Sequence, residues 1–281
     1  MTKLQLKEQL FEANNDRVIN NLTKYTNARI AIGHSGGHTL TKNWLEFQLD
    51  FAQAKDAVLS DIDLVKLTHD LIEIDELNKG QTKLYTASSC ANSLDEFLTR
   101  PDLGRALSTD SQAELRDALI NHPSDLNQDI LIVISSGLSS AAIENQAVGF
   151  LGELLPLLNE FGWSLAPIIL SKRTRVAFAD KVNAVFKAKV VINLIGERPG
   201  LSSNDSMSIY FTHGSKIDST DEQRNCISNI HQNGLSHRQA AQKVAYLVHK
   251  AFELGYSGVN LKDDFSQDLF NQALKGISHD A

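Results

Sequence analysis

The chain has 281 residues, of which 42% are hydrophobic and 22% are charged, a composition typical of a globular protein. Its 34 acidic residues outnumber its 27 basic residues, for a formal net charge of -7, and the basic residues form no stripe, which argues against a nucleic-acid partner. The two cysteines, Cys90 and Cys226, are too few for a disulfide framework, a pattern typical of a reducing compartment.

The sequence also argues against contact with a membrane. No apolar run reaches the roughly 18 residues that a helix needs to cross a bilayer. The first ten residues, MTKLQLKEQL, lack the apolar stretch of a secretory signal. We therefore expect a cytoplasmic protein, either free or inside a cytosolic compartment.

The first part of the chain, residues 1–125, predicts a smaller and mostly helical region. Apolar positions predict a helix over the first 22 residues, and Ala28–Gly33 reads as a short strand before a glycine- and histidine-rich loop. Apolar residues spaced three and four apart predict a second helix over Trp44–Leu59.

From Gln128 onward, strands alternate with helices. Continuous apolar runs predict buried strands, and amphipathic segments between them predict helices. The strands are Ile130–Ile134, Ser164–Leu170, Lys189–Ile195 and Met207–Thr212, and the helices are Ser139–Phe161, Arg175–Lys187 and a last one that begins with the capping box of Ser236 and Gln239. We expect Pro156 to kink or divide the first of these helices. The pattern predicts an α/β domain over residues 126–281, with a mainly parallel sheet flanked by helices in a Rossmann-like arrangement.

Two loops follow predicted strands, at the end of the sheet where such folds bind ligands. Ser135–Ser140 offers a glycine turn with several serines, which fits either an anion site or an ordinary helix cap. Gly196–Gly200 (GERPG) offers Glu197 as a hydrogen-bond acceptor and Arg198 as a partner for a carboxylate or phosphate, or else the two side chains pair within a turn.

Other chemistry has little support in the residues. Cys226 and His231 are five positions apart, which leaves open a thiol nucleophile in a self-sufficient hydrolase or transferase, but a cysteine beside isoleucine is more often a small buried side chain. His34 and His38 lack a third partner for a metal ion, so we expect no metal site. The segment Thr99–Arg105 (TRPDLGR) fits a turn with an Asp–Arg pair.

Taken together, several segments resemble one family in their order and spacing. These are Leu98–Arg105 (LTRPDLGR), Gly137–Ser139 (GLS), Ala188–Val191 (AKVV), Ile195–Gly200 (IGERPG), Cys226–His231 (CISNIH) and Ser257–Leu261 (SGVNL). The chain resembles the small (light) subunit of ethanolamine ammonia-lyase from about Ala28 to Leu261. It departs from that pattern at Gly33–His38, where relatives are arginine-rich, and at Ser136, where they commonly have aspartate.

The resemblance implies a hetero-oligomeric lyase that converts ethanolamine to acetaldehyde and ammonia by a radical mechanism. It implies adenosylcobalamin as the cofactor, held between this chain and a large subunit that carries the substrate residues. Val176, Glu197 and Cys226 match the family's cobalamin contacts, and no catalytic residue is expected in this chain. The resemblance leaves open whether the enzyme is packaged in a bacterial microcompartment. A scaffold subunit that never contacts the cofactor is the remaining alternative.

Overall fold

This computed structural model describes residues 22, 25, 30, 32–78 and 82–277. Its strands are β1 (His34–Ser35), β2 (His38–Thr39), β3 (Leu84–Ser88), β4 (Ile130–Ser135), β5 (Ile168–Lys172), β6 (Val190–Gly196), β7 (Met207–His213) and β8 (Asn225–Ile230). Its helices are α1 (Thr41–Leu59), α2 (Leu64–Ile72), α3 (Asp75–Asn78), α4 (Leu94–Thr99), α5 (Pro101–Arg105), α6 (Thr109–Asn121), α7 (Ser140–Glu160), α8 (Phe178–Phe186), α9 (His237–Leu254) and α10 (Gln267–Ile277).

A six-stranded sheet organises the fold. The strand order is β3-β5-β4-β6-β7-β8, and the first four of these strands run parallel. β7 is antiparallel to β6, and β8 is antiparallel to β7. The carboxyl ends of β4 and β6 therefore lie at the same edge of the sheet as the amino end of β7.

Helices cover both faces of this sheet. Every residue of β4 and of β6 is buried, because successive side chains point to opposite faces and each face meets a helical layer. One core joins α2, α7 and α9 to alternate strand residues such as Ile132 and Ile192. A second core joins α6 and α8 to the intervening residues, among them Leu131 and Val191.

Local signals fix the ends of the long helices. Ser139 caps α7 by accepting a hydrogen bond from the Ala142 N–H at 3.1 Å. The predicted capping box of Ser236 and Gln239 is formed at the start of α9. Pro156 lies inside α7 and does not divide it, and the expected kink at this residue stays a prediction.

The sequence predicted the fold class correctly, and most predicted elements are present with small shifts in their ends. β3 and β8 were not predicted, because both have mixed rather than continuous burial. The predicted helix over the first 22 residues lies outside the described residues, except for Leu22. The predicted strand Ala28–Gly33 lies partly outside them, and its described residues have no regular secondary structure.

The chain separates into two compact units. One contains the described residues up to Lys55 together with Gly200–Ser202, and the other contains Asp56–Pro199 and the described residues from Ser203 onward. In the first unit, α1 exposes the apolar side chains of Trp44, Leu45, Leu49 and Phe51. The boundary predicted at residue 125 stays a prediction, although β3, from before that boundary, pairs with β5 in the sheet.

Two structural features are absent from the described residues. None of the described helices has the length and apolar character needed to traverse a bilayer. In the same part of the chain, no three His, Cys, Asp or Glu side chains converge on a position that could hold a metal ion.

Candidate functional site

Two loops at the carboxyl edge of the sheet contact each other through their backbones. The Leu138 N–H, after β4, donates a hydrogen bond of 3.1 Å to the carbonyl oxygen of Gly196, the last residue of β6. Gly137 has a φ of +61°, and a Cβ atom there would collide with the Gly196 carbonyl. A Cβ atom on Gly196 would in turn collide with the carbonyls of Ser136 and Ser139. The sequence therefore needs glycine at both positions for the loops to approach this closely.

A cavity of about 410 Å³ opens beside this crossing. Its walls combine apolar side chains, several charged groups and the backbone of the two loops. The lining residues are Arg105, Gly137, Leu138, Arg175, Val176, Ala177, Ile195, Gly196, Glu197, Arg198, Ser208, Tyr210 and Asp221. A cavity of this kind, at the carboxyl edge of a mainly parallel sheet, is where ligands bind in open α/β folds.

Glu197 is half-buried in the wall of this cavity, and neighbouring strands hold its carboxylate. Oε1 accepts a hydrogen bond of 2.6 Å from the Ser208 hydroxyl on β7 and one of 2.9 Å from the Asn229 N–H on β8. Burial acts to raise the pKa of Glu197, but these donors and the nearby His231 outweigh it, so the pKa lies below its ordinary value. Oε2 takes part in neither bond. The site thus presents an ionised acceptor with a fixed orientation.

Val176 lines the same cavity, in the segment between β5 and α8. Its carbonyl oxygen accepts a hydrogen bond of 3.3 Å from the Asn193 side chain, which is buried on β6. The amide oxygen of Asn193 accepts a bond of 2.8 Å from the Ser135 hydroxyl on β4. The buried amide therefore ties the Val176 backbone to the sheet.

Cys226 lies on β8, where it pairs with Tyr210 of β7. Tyr210 lines the cavity, so Cys226 adjoins the site beside a lining residue rather than within the set of lining residues. Cys226 is an exposed residue, so the expectation of a small buried cysteine is wrong, although partial desolvation of its sulfur raises the pKa of the thiol. A raised pKa disfavours the thiolate, so the arrangement does not favour a thiol nucleophile.

The serines of the Ser135–Ser140 loop serve the fold rather than an open anion site. The Ser136 hydroxyl accepts from the Arg173 N–H at 2.9 Å, and the Ser139 hydroxyl donates to the Asn204 carbonyl at 2.7 Å besides capping α7. The ordinary interpretation of this loop as a helix cap is therefore the better one. By contrast, Glu197 and Arg198 form no ion pair with each other in the described part of the chain, so the loop that carries them is not closed by an internal pair.

The segment Thr99–Arg105 contains the expected Asp–Arg pair, but it also contributes to the site. Arg100 bonds both oxygens of Asp102, at 3.0 and 2.7 Å. Arg105, at the end of α5, lines the cavity together with Arg175. Sequence reasoning did not place these two arginines in the site, because no local pattern shows that α5 lies beside the β5–α8 connection. The available signals were that Arg105 lies in a segment that carries the family resemblance and that Arg175 directly precedes Val176.

The chain is similar to known proteins over most of its length. Residues 16–262 match the family model described as ethanolamine ammonia-lyase light chain (EutC). The ethanolamine ammonia-lyase small subunit of Pseudomonas syringae pv. tomato is 42% identical over 243 residues, which is 86% of this chain and 82% of that protein. The small subunits from Pseudomonas fluorescens Pf-5 and Xanthomonas campestris ATCC 33913 are 43% and 41% identical, over 86% and 88% of both chains.

Proposed function

This chain belongs to the ethanolamine ammonia-lyase light-chain (EutC) family, and on that premise we propose that it is the small subunit of an adenosylcobalamin-dependent ethanolamine ammonia-lyase. The enzyme converts ethanolamine to acetaldehyde and ammonia. When bound, adenosylcobalamin supplies the radical that starts this reaction. This chain binds and orients the corrinoid, while a large subunit provides the residues that contact the substrate. We further propose a cytoplasmic enzyme, either free or within a bacterial microcompartment.

The cavity residues fit a corrinoid. The rim of a corrin ring carries amide side chains, whose N–H groups need acceptors, and its faces are apolar. Glu197 offers an ionised acceptor, and Leu138, Val176 and Ile195 offer apolar surface beside it. Cys226 adjoins this wall next to Tyr210 and contributes by packing. The mixture of apolar walls with a few fixed polar groups is typical of cofactor sites.

The observation that carries the proposal is the fixed carboxylate of Glu197 on the cavity wall. Two donors from neighbouring strands hold Oε1, so binding would not have to order this side chain. An acceptor already held in place loses little conformational entropy when a ligand binds. The scaffold alternative would give these bonds a structural role alone, and the effect of replacing Glu197 on cofactor affinity separates the two.

The first test is turnover by the chain with and without a large subunit. The two proteins are purified separately, combined with adenosylcobalamin and ethanolamine, and assayed for acetaldehyde. We expect acetaldehyde only from the combination, because the substrate residues lie on the partner. Full turnover by this chain alone would refute the proposed division of labour.

The second test replaces the acceptor. We expect Glu197→Gln to weaken cobalamin binding to the two-subunit complex by about tenfold, because a charge-assisted hydrogen bond is lost. The dissociation constant is measured by equilibrium dialysis with detection by corrinoid absorbance. Glu114→Gln makes the same change at an exposed position on α6 and should leave the constant unaltered. Equal affinity in wild type and Glu197→Gln would instead support the scaffold alternative.

A further inference from the structure

Three guanidinium groups line one cavity: Arg105, Arg175 and Arg198. They come from the end of α5, from the β5–α8 connection and from the loop after β6. In the described part of the chain, none of the three forms an ion pair with a carboxylate. Three cations in one cavity repel one another, so the fold maintains this arrangement at a cost in stability.

Arg175 is held in place by contacts with Phe97 and Gly104. Its Nη2 donates to the Phe97 carbonyl at 3.0 Å, its Cζ lies 4.3 Å from the centroid of the Phe97 ring, and its backbone N–H donates to the Gly104 carbonyl at 2.8 Å. Its Nε is buried and has no hydrogen-bond partner among the described residues. The guanidinium is therefore oriented and still has donor capacity left.

The charges of the three arginines act on one another. Burial, and then the positive charges of Arg105 and Arg198, lower the pKa of Arg175. The carboxylates of the cavity do not offset this repulsion through ion pairs. Glu197 is bonded to Ser208 and Asn229, and Asp221 lies 3.4 Å from Arg224 outside the cavity's arginine group. An anion placed among the arginines would relieve the repulsion and could accept the unused donors.

We propose that Arg105, Arg175 and Arg198 form a subsite for a phosphate group, supplied by the phosphodiester in the nucleotide arm of the bound corrinoid. This inference rests on the proposed function for the identity of the ligand. Phosphate suits the subsite because guanidinium forks match its oxygens, and because the phosphodiester is the anionic group that links the corrin to its nucleotide. Free inorganic phosphate has the same chemistry and is the alternative ligand for this subsite.

The test compares two corrinoids on the two-subunit complex. Cyanocobalamin contains the phosphodiester, whereas dicyanocobinamide ends before it. We expect Arg198→Gln and Arg105→Gln to weaken cyanocobalamin binding by about fivefold to tenfold each and to leave cobinamide binding unchanged. Both residues are exposed, so these variants should fold normally. Arg175→Lys keeps the positive charge but loses the planar guanidinium, so it should also weaken the binding of cyanocobalamin and not that of cobinamide. Arg116→Gln, on α6, is the charge-matched control.

Each result decides the proposal. An equal loss for both corrinoids, or weaker association of the two subunits with unchanged corrinoid affinity, would overturn the phosphate subsite and leave the proposed function standing. If wild type binds neither corrinoid, the proposed function fails, and titration of inorganic phosphate followed by calorimetry separates the remaining cases. Phosphate binding that the arginine variants lose would keep the subsite with free phosphate as its ligand, and no phosphate binding would overturn it.

Discussion

The orientation and ionisation of the Glu197 carboxylate depend more on its position in the sheet than on its sequence neighbours. Its backbone N–H donates to the Ser206 carbonyl at 2.9 Å, and its side chain is bonded by Ser208 and Asn229. These three partners are 9 to 32 positions away in the chain. They meet Glu197 only because β7 returns antiparallel beside β6 and β8 pairs with the far side of β7. A strand-end glutamate was visible in the sequence, but the donors that keep it ionised were not.

This network makes the stability of the protein depend on pH through Glu197. Because the pKa of this carboxyl is lower in the folded chain than its ordinary value of 4.5, the ionised group stabilises the fold. That stabilisation is fully present above the unfolded-state pKa and is lost as the pH falls through the lower folded-state pKa. We expect Glu197→Gln to unfold at lower urea concentration than wild type at pH 7, and the difference to shrink as the pH falls below 4.5 and through the folded-state pKa.

Urea unfolding across this pH range measures the effect. Because other carboxyls titrate alike in wild type and variant, the difference between them isolates position 197. A difference of constant size at every pH would show that hydrogen-bond geometry, and not the charge, stabilises this position.

At the scale of the elements, the site depends on two loops that cross with glycine at the contact. Gly137 follows β4, and Gly196 ends the neighbouring strand β6. At each position a side chain would collide with the backbone of the other loop. This contact places Leu138 and Glu197 on the wall of one cavity. The glycines of both loops were noted in the sequence, but only strand adjacency explains why neither position tolerates a Cβ atom.

A glycine-to-alanine pair tests this crossing. We expect Gly196→Ala to destabilise the protein by about 1–3 kcal/mol, because the added methyl group meets the backbone carbonyls of Ser136 and Ser139. Gly152→Ala is the matched control, since this position is exposed in α7 and an added Cβ atom would meet nothing within 4 Å. There we expect stabilisation of up to about 1 kcal/mol from higher helix propensity. Stability is measured by thermal and urea unfolding. If Gly196→Ala changed it no more unfavourably than Gly152→Ala, the loops would be able to separate without cost.

At the scale of the whole molecule, the proposed role of the open cavity is binding rather than bond-breaking. Its polar side chains include Glu197, the three arginines, Ser208, Tyr210 and Asp221, and the nearby Cys226 thiol has a raised pKa. Such a set can hold and orient a ligand, but it lacks a nucleophile oriented by a general base. This agrees with a chain that completes a cofactor site together with another polypeptide.

Gel filtration tests that division directly. We expect corrinoid absorbance to elute with protein when this chain, the large subunit and cobalamin are mixed, and to separate from either protein applied alone. The physical reason is that an open cavity covers one side of the ligand, so slow dissociation requires the second protein surface. Retention by this chain alone would show that the large subunit is not needed to hold the corrinoid.

The sequence by itself determined the fold class, the buried strands β4 and β6, the ends of the long helices and the candidate role of Glu197. These features are local, because continuous apolar runs, capping residues and a polar residue after a strand can each be read within a few positions. Only the tertiary structure decided the antiparallel return of β7 and β8, the crossing at Gly137 and Gly196, and the gathering of Arg105, Arg175 and Arg198. Those features depend on which strands become neighbours, and strand order arises from the packing of two cores onto one sheet rather than from any single segment.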